Sequence, residues 1–160
     1  MNLGPKESYI GFMLRLSKKA EYGLIALMHF AAEDPGRSAS AKEIADSDGL
    51  PLPLLAKVLQ TLAKGGFLDS VQGTNGGYRL ARDADAISAL EVIRAIDGPV
   101  FFTSCSTGVE CHRTRSCTAR EPLHQLREQI LGLLESTTIS AMARDTGGQA
   151  AEFVSVSSLS

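Results

Sequence analysis

The chain has three cysteines, and all of them lie in one short stretch, at Cys105, Cys111 and Cys117. Five residues separate each pair, and these spacers are small, polar or basic. Because the stretch lacks the apolar spacing of a core strand or helix, we expect a loop whose thiols face outward. Thiolates are soft ligands that suit zinc, copper and iron–sulfur clusters, and the three arginines within 113–120 favour the thiolate form. The stretch therefore predicts a metal or cluster site.

The same thiols have simpler interpretations, as redox-active or inert cysteines. Their spacing matches neither the C-x2-C zinc knuckle nor the ferredoxin runs. A disulfide with one spare thiol would need an oxidising compartment, yet the cysteine count is odd and the N-terminus shows no signal-peptide pattern. Free cysteines are usually buried, which does not describe these. We favour the metal or cluster site and predict a cytoplasmic protein.

The length of 160 residues predicts one domain, or one domain with an appendage. Aromatic residues make up 6% and Trp is absent, so we expect an aliphatic, helical core. The net charge of −2 is uneven, because residues 13–82 carry +2 and residues 83–160 carry −4. A mildly basic N-terminal half can bind phosphates if its cations share a face. No apolar run is long enough to cross a membrane, so no membrane partner is expected.

Helix signals in the N-terminal half come in the order of a helix-turn-helix. Ser17 is expected to cap a helix that runs to about Ala32, with an apolar stripe at helical spacing. Residues 40–43 form a Ser-x-x-Glu capping box, which opens a short helix ending at 48–49. A longer helix is predicted over 52–64 and is closed by two glycines. A short helix, a glycine-containing turn and a longer helix are the helix-turn-helix pattern.

Two strands are predicted directly after these helices, over 67–71 and 78–81. Residues 72–77 join them, and Asn75-Gly76 is expected to supply the positive φ that a tight hairpin turn requires. A helix-turn-helix followed at once by a β-hairpin indicates a winged helix.

A second capping box, over 88–91, opens a helix that is expected to pack on the winged helix and to end at 97–99. The predicted fold class is mainly α with a small β-hairpin. The chain is then expected to comprise a disordered leader (1–12), a winged helix-turn-helix DNA-binding domain (13–98), a cysteine loop with a dimerisation helix (99–143) and a disordered tail (144–160).

The dimerisation helix is predicted to begin just after the third cysteine. It is either capped by Thr118 with Glu121 at N3, or starts with Pro122 at N1. With no later element expected to cover its apolar stripe, that stripe suits a two-fold contact between copies of the chain. The stripe consists of Leu123, Leu126, Ile130, Leu133 and Leu134.

In this order the features resemble the IscR-like (Rrf-type) winged-helix regulators, the iron–sulfur-responsive repressors of bacteria. The resemblance covers about residues 13–141. It is carried by Met-Leu-Arg-Leu-Ser at 13–17, Ala-Glu-Tyr at 20–22, Gly-Thr-Asn-Gly-Gly-Tyr-Arg-Leu at 73–80, Ile-Ser-Ala-Leu-Glu-Val-Ile at 87–93 and the three cysteines. Residues 50–53, 97–99 and 137–143 look most like the branch that regulates the SUF cluster-assembly operon.

The resemblance implies a homodimer with one cluster per subunit, 2Fe–2S favoured and 4Fe–4S the alternative, ligated by the three cysteines. In IscR itself a histidine follows the third cysteine by three residues, but that position here is Arg120, which cannot ligate. In the nitric-oxide-sensing and redox-sensing branches an acidic residue of the partner's first helix completes the site, and that position here is Glu21. Its simpler interpretation is a solvent-facing first-turn glutamate. We prefer Glu21 as the fourth ligand, then His124 or His112, and we interpret His29 as a helix-face residue.

Double-stranded operator DNA is the partner that the resemblance implies. The candidate DNA-binding residues are Lys57, Gln60, Thr61, Lys64, Gln72, Thr74, Asn75 and Arg79. Glutamine can pair with adenine, and lysine with phosphate or guanine. Several relatives carry arginine just before the wing glycine, where this chain has Gln72, so the wing is expected to read DNA differently. For the four residues of the second helix, 57–64, the simpler interpretation is an ordinary solvated helix face.

These features predict a homodimeric, cluster-binding transcriptional repressor. It is expected to sense iron, redox state or cluster supply, and to control genes of iron–sulfur assembly or iron homeostasis. The alternative is a metal-binding or thiol-redox protein whose winged helix mediates protein contacts. No Ser/His/Asp set, P-loop or paired carboxylates stand out in the sequence, so an enzyme is not expected.

Overall fold

Six α-helices and one β-hairpin make up the part of the chain that the computed structural model describes, namely residues 15–74, 76–102 and 116–146. In chain order they are α1 (Lys18–Ala32), α2 (Ala41–Asp48), α3 (Leu52–Lys64), β1 (Leu68–Val71), β2 (Gly77–Leu80), a short 3₁₀ helix (Ala84–Ala86), α4 (Ala89–Asp97), α5 (Arg120–Ser136) and α6 (Ile139–Asp145). The predicted fold class, mainly α with a small hairpin, is confirmed.

The helices α1, α2 and α3 form a helix-turn-helix with the predicted bounds. Ser17 caps α1 by accepting the Ala20 backbone N–H at 3.0 Å. In the capping box of α2, the Glu43 N–H donates to Ser40 Oγ at 3.2 Å and the Ser40 N–H donates to Glu43 Oε2 at 2.6 Å. Gly49 ends α2 in the left-handed region, with φ 67°, which glycine adopts without a Cβ clash. These caps fix where the chain turns into α3.

The core lies between α1, α3 and α4. As predicted, α3 buries one apolar face, made of Leu55, Val58, Leu59 and Leu62. Gly23 lets α4 approach α1 closely, because a Cβ at that position would lie 2.3 Å from Ile96 Cδ1. The packing leaves the opposite face of α3 exposed to solvent.

The wing is a two-stranded antiparallel sheet extended by a bridge to the residue just before α2. Asp69 pairs with Arg79 in the register of β1 and β2. Ala39 and Tyr78 exchange two backbone hydrogen bonds of 2.9 Å, so the wing is anchored to the helix-turn-helix. Gly77 permits this approach, since a Cβ there would lie 2.3 Å from the Ala39 carbonyl oxygen.

The turn of the wing is described except at Asn75, so the predicted positive φ at Asn75-Gly76 lies outside the described residues. Gly73, at the start of the turn, has a positive φ of 120°. Gly76 is needed for space, because a Cβ on it would lie 2.6 Å from the Val71 carbonyl oxygen. The chain turns over its own backbone here, which the Asn-Gly dipeptide alone did not indicate.

The start of the long helix α5 also differs from both sequence alternatives. Ala119 is its N-cap and makes no side-chain hydrogen bond, so Thr118 does not cap it. Pro122 is the third helical residue rather than the first. Proline is tolerated there because the first N–H groups of a helix have no partner within it.

The short helix α6 was not predicted from the sequence. It packs on α1 and the 3₁₀ helix, and Ile139 at its start is fully buried. Two backbone hydrogen bonds join its entry to α4: Ala89 N–H to Thr137 O at 2.8 Å, and Ile139 N–H to Ile87 O at 2.9 Å. Although α6 follows α5, it does not cover the apolar stripe of that helix.

Three leucines of this stripe are exposed, at 40% for Leu123, 50% for Leu126 and 66% for Leu133. Leu131 is the residue of α5 that is buried, and α5 packs against α4. The predicted leader, the predicted tail from residue 147 onward, Cys105 and Cys111 lie outside the described residues. None of the helices within the described ranges is long and apolar enough to cross a bilayer.

Candidate DNA-binding face and cysteine site

The outward face of α3 has the composition of a DNA-reading surface. Lys57, Gln60, Thr61 and Lys64 are all exposed, and they lie opposite the four buried apolar residues. Their spacing of three, four and seven residues places them on one side of the helix. The Thr61 hydroxyl donates to the Lys57 carbonyl oxygen at 3.1 Å, so its lone pairs are left to accept. This face offers two cations, an amide and a hydroxyl acceptor.

The wing presents the second group of candidates. Gln72 and Thr74 are exposed at the turn, and Arg79 is exposed on β2. The Arg79 guanidinium is 4.0 Å from the Asp69 carboxylate across the hairpin, and both side chains are about half exposed. Such an exposed pair is weak, so Arg79 can be released to a phosphate. Asn75 lies outside the described part of the wing.

The candidate ligand Glu21 lies in the first turn of α1. Its carboxylate is 3.0 Å from Lys18 Nζ, and its side chain is 45% exposed. The ion pair is local and open to solvent, so it is weakly held. The carboxylate is therefore free to accept another partner at the protein surface.

The cysteine segment is bounded by described elements on both sides. Ser17, the cap of α1, donates its hydroxyl to Asp97 Oδ1 at 2.6 Å, which ties the start of α1 to the end of α4. On the other side, Cys117 is exposed and lies three residues before α5. His124 is exposed in α5, and His112 lies outside the described residues. Within 15–74, 76–102 and 116–146, no three His, Cys, Asp or Glu side chains come together as a metal site.

The capping boxes of α2 and α4 lower the pKa values of their glutamates. The backbone hydrogen bond from Ser40 lowers the pKa of Glu43. The corresponding bond from Ser88 lowers the pKa of Glu91, against the opposing effect of burial and with help from Arg82. Both glutamates hold helix starts in place, so these shifts belong to the scaffold rather than to a reactive site.

One pair in the helix-turn-helix was missed by sequence reasoning. His29 Nδ1 lies 2.9 Å from Asp48 Oδ2, which links the last turn of α1 to the last residue of α2. His29 is therefore more than a helix-face residue. The available signal was Asp48 itself, since a carboxylate at a helix C-terminus is unfavourable unless it has a partner.

A family model for Rrf2, described as an iron-dependent transcriptional regulator, matches residues 16–145. The chain belongs to the Rrf2 family. Among its relatives is the HTH-type transcriptional regulator IscR of Photobacterium profundum, which is 31% identical over 136 residues, covering 85% of this chain and 79% of the relative.

Solved structures agree with the fold of this Rrf2-family chain. CymR (YrzC), the global cysteine regulator of B. subtilis, has a TM-score of 0.72 at 30% identity, covering 83% of this chain and 98% of CymR. IscR of T. potens has a TM-score of 0.63 at 29% identity, covering 86% of this chain and 93% of that one.

Several sequence predictions are thereby confirmed. The chain has the winged-helix fold of the IscR-like Rrf2 regulators, and it is a DNA-binding transcriptional regulator rather than an enzyme. The individual DNA contacts and cluster ligands stay predictions for this Rrf2 regulator. Of the four favoured ligands, the described residues include Glu21 and Cys117, and each is accessible at the surface.

Proposed function

We propose that this Rrf2-family regulator is a homodimeric repressor that holds an iron–sulfur cluster, 2Fe–2S in preference to 4Fe–4S. The ligands are Cys105, Cys111 and Cys117 of one subunit and Glu21 of its partner. The observation that carries the proposal is the set of three evenly spaced thiols between α4 and α5. The description of the family as iron-dependent and the IscR relatives support it.

The chemistry of the donor set fits such a group. Thiolates suit iron–sulfur clusters, and a carboxylate is a harder ligand that holds iron less tightly. Glu21 and Cys117 are both solvent-accessible on their own subunit, so neither is committed to the core. His124 or His112 is the replacement if Glu21 is not the fourth ligand. A bound cluster would supply a connection between subunits that is gained or lost with iron, sulfide and redox state.

The dimer contact is proposed to be the exposed leucine face of α5. Leu126 and Leu133 lie two turns apart on this helix and are half exposed or more. Exposed apolar side chains that share one helix face indicate an interaction surface. A two-fold axis would let the same face serve both subunits.

The DNA-reading heads are the two copies of α3 with their wings. Successive major grooves on one side of the duplex are about 34 Å apart, so the dimer must hold the two heads at that spacing. Because α5 is joined through α6 to α1 and α4 of the same chain, a rotation at the dimer helix changes the position of the head. The proposed operators control iron–sulfur assembly or iron homeostasis genes.

Footprinting on the gene's own upstream region tests the function. Anaerobically purified protein, chelator-treated protein and a variant with all three cysteines changed to serine are compared at one salt concentration. We expect a protected site whose affinity changes when iron is removed, and a serine variant that behaves as the iron-free protein. Identical affinity in all three preparations would contradict the proposal.

A thiol-sensing regulator is the second candidate, and the match to the global cysteine regulator of B. subtilis favours it. In that case the cysteines respond by oxidation and no iron is needed. Iron-free protein would then lose or gain operator affinity on oxidation and recover it with a reductant. The same footprinting assay separates the two candidates.

A further inference from the structure

The His29–Asp48 pair is the least exposed of the ion pairs found among the described residues. The two side chains are 13% and 29% exposed, while the remaining pairs are local or open to solvent. Water screens a half-buried interaction less than an exposed one. His29 Nδ1 lies 2.9 Å from Asp48 Oδ2, so the imidazole and the carboxylate are in direct polar contact. This contact joins two helices of the reading head.

A carboxylate at the position of Asp48 destabilises helix α2 unless it has a partner of opposite polarity. Asp48 is the last residue of α2, where the partial negative charge of the helix end disfavours a carboxylate. His29 lies in the last turn of α1, where a donor or cation is favoured. The pair therefore offsets a local penalty in α2 by a contact with another helix.

Asp48 directly precedes the turn into α3. Gly49 follows in the left-handed region, and the Leu50 N–H donates to the Ala45 carbonyl oxygen at 3.0 Å. Pro51 is the N-cap of α3 and makes no side-chain cap hydrogen bond. The start of the DNA-reading helix thus has no cap of its own. Leu50 and Leu55 pack into the core beside this start, and the nearest ion pair to another helix among the described residues is the one made by Asp48.

We propose that His29 and Asp48 are positioning residues for DNA reading. They fix the turn between α2 and α3 against α1, so that the outward face of α3 meets the major groove at a set depth and angle. Neither residue needs to touch DNA. The inference concerns the DNA-binding activity alone, and it stands or fails independently of the cluster.

Two substitutions at one position separate the polar contact from the negative charge. Asp48→Ala and Asp48→Asn remove the same negative charge, but asparagine keeps a carbonyl acceptor for His29. Loss of negative charge, by itself, leaves affinity for DNA unchanged or raises it. A positioning role predicts the opposite sign for alanine, which should weaken operator binding about tenfold, the order of magnitude of one lost polar contact to a charged group. Asparagine should stay within about threefold of the wild type.

The probe is the tightest duplex selected from a random library with the wild-type protein, and affinity is measured by fluorescence anisotropy. Binding to an unselected duplex should be unchanged within about twofold, because non-specific binding depends on charge rather than on groove geometry. His29→Leu should resemble Asp48→Ala, and the double variant should be no weaker than either one. Glu33→Ala is the matched control, since it removes a comparable charge from the exposed Arg37–Glu33 pair at the end of α1, and it should bind as the wild type.

The proposal is overturned if Asp48→Ala binds the selected duplex as well as the wild type, or if Asp48→Asn is weakened equally. It is also overturned if the two single losses add in the double variant. Circular dichroism at the assay temperature measures whether each variant keeps the helix content of the wild type, so that unfolding is distinguished from loss of positioning. Loss of helix in Asp48→Ala, with selected and unselected duplexes weakened together, would assign the pair to stability and contradict positioning.

Discussion

Glu21 carries a carboxylate that is paired with Lys18 but remains 45% exposed, so its place in the proposed site can be tested without disturbing the core. Surface substitutions away from caps and cores usually change stability by under about 0.5 kcal/mol. Glu21→Ala should therefore fold normally, retain its cluster for a shorter time and show an altered visible spectrum. The measurements are a thermal melt and the decay of visible absorption under a chelator. Lys18→Ala is the control, because it removes the partner of Glu21 and leaves the proposed ligand.

A heterodimer of Glu21→Ala with Cys111→Ala tests whether the ligand comes from the partner. With ligation in trans, both lesions fall in one site and the other site is complete. Half of the wild-type cluster content, with a wild-type spectrum, is then expected. Impairment of both sites would mean that ligation is within one chain. If Glu21 is not a ligand, one complete site is again expected, and the Glu21→Ala homodimer identifies that case because its spectrum and cluster retention would match the wild type.

Gly77 gives a prediction about the wing. A Cβ at this position would lie 2.3 Å from the Ala39 carbonyl oxygen, so Gly77→Ala must separate β2 from the residue before α2. Overpacking of this kind costs about 1–3 kcal/mol, and the displaced wing should bind operator DNA more weakly. Urea unfolding and anisotropy measure the two effects. Gly132→Ala in α5, where nothing lies within 4 Å of the added Cβ, should instead leave stability unchanged or raise it.

At the scale of elements, three helix starts were predictable because a serine side chain makes the cap. Ser17, Ser40 and Ser88 each accept a backbone N–H as their sequence context indicates. The start of α5 was not predictable, because Ala119 has no capping side chain. Helix α6 has seven residues, too few for a periodic signal, and is held by backbone bonds to residues 87–89, which are distant in sequence. Thr138 does cap α6, accepting the Ala141 N–H at 3.1 Å, but one cap without a periodic apolar pattern was not enough to predict the helix.

The capping box of α4 gives a pH prediction. The Ser88 N–H lowers the folded-state pKa of Glu91 below 4.5, so the contribution of this glutamate to stability is present above that value and is lost as pH falls through the folded pKa. Glu91→Gln keeps an acceptor for Ser88 but does not titrate. The wild type should therefore lose more free energy of unfolding than Glu91→Gln between about pH 5 and about pH 3. Equal losses in urea titrations would mean that Glu91 does not contribute to the acid sensitivity.

At the scale of the whole molecule, the sequence predicted the winged helix and the apolar stripe on α5. Neither the sequence nor the structure of one chain shows which surface covers that stripe. That depends on a second chain, and local spacing carries no information about it. Likewise, the spacing of the cysteines indicates a metal site, while the fourth ligand depends on which parts of two subunits meet. The contact between His29 and Asp48 was missed for a related reason, since it depends on how α1 and α2 pack against each other.

The dimer prediction uses the two most exposed leucines of α5. Leu126→Glu with Leu133→Glu should give a folded monomer, because burying two carboxylates at an interface without partners is strongly unfavourable. Sedimentation velocity measures the change, and operator affinity should fall as the two heads separate. Gln125→Glu with Gly132→Glu, exposed on the side of α5 away from these two leucines, is the charge-matched control and should remain dimeric. A dimer that survives the leucine changes would place the interface elsewhere.

The central claim, a cluster held by the three cysteines, is tested most directly by visible absorption and Mössbauer spectra of the anaerobically purified native protein, with iron and sulfide measured on the same sample. We expect a coloured protein with one 2Fe–2S cluster per chain. The Mössbauer spectrum should distinguish an iron site with sulfur ligands alone from one with an oxygen ligand. A colourless protein that develops no visible absorption when iron and sulfide are supplied would contradict the account.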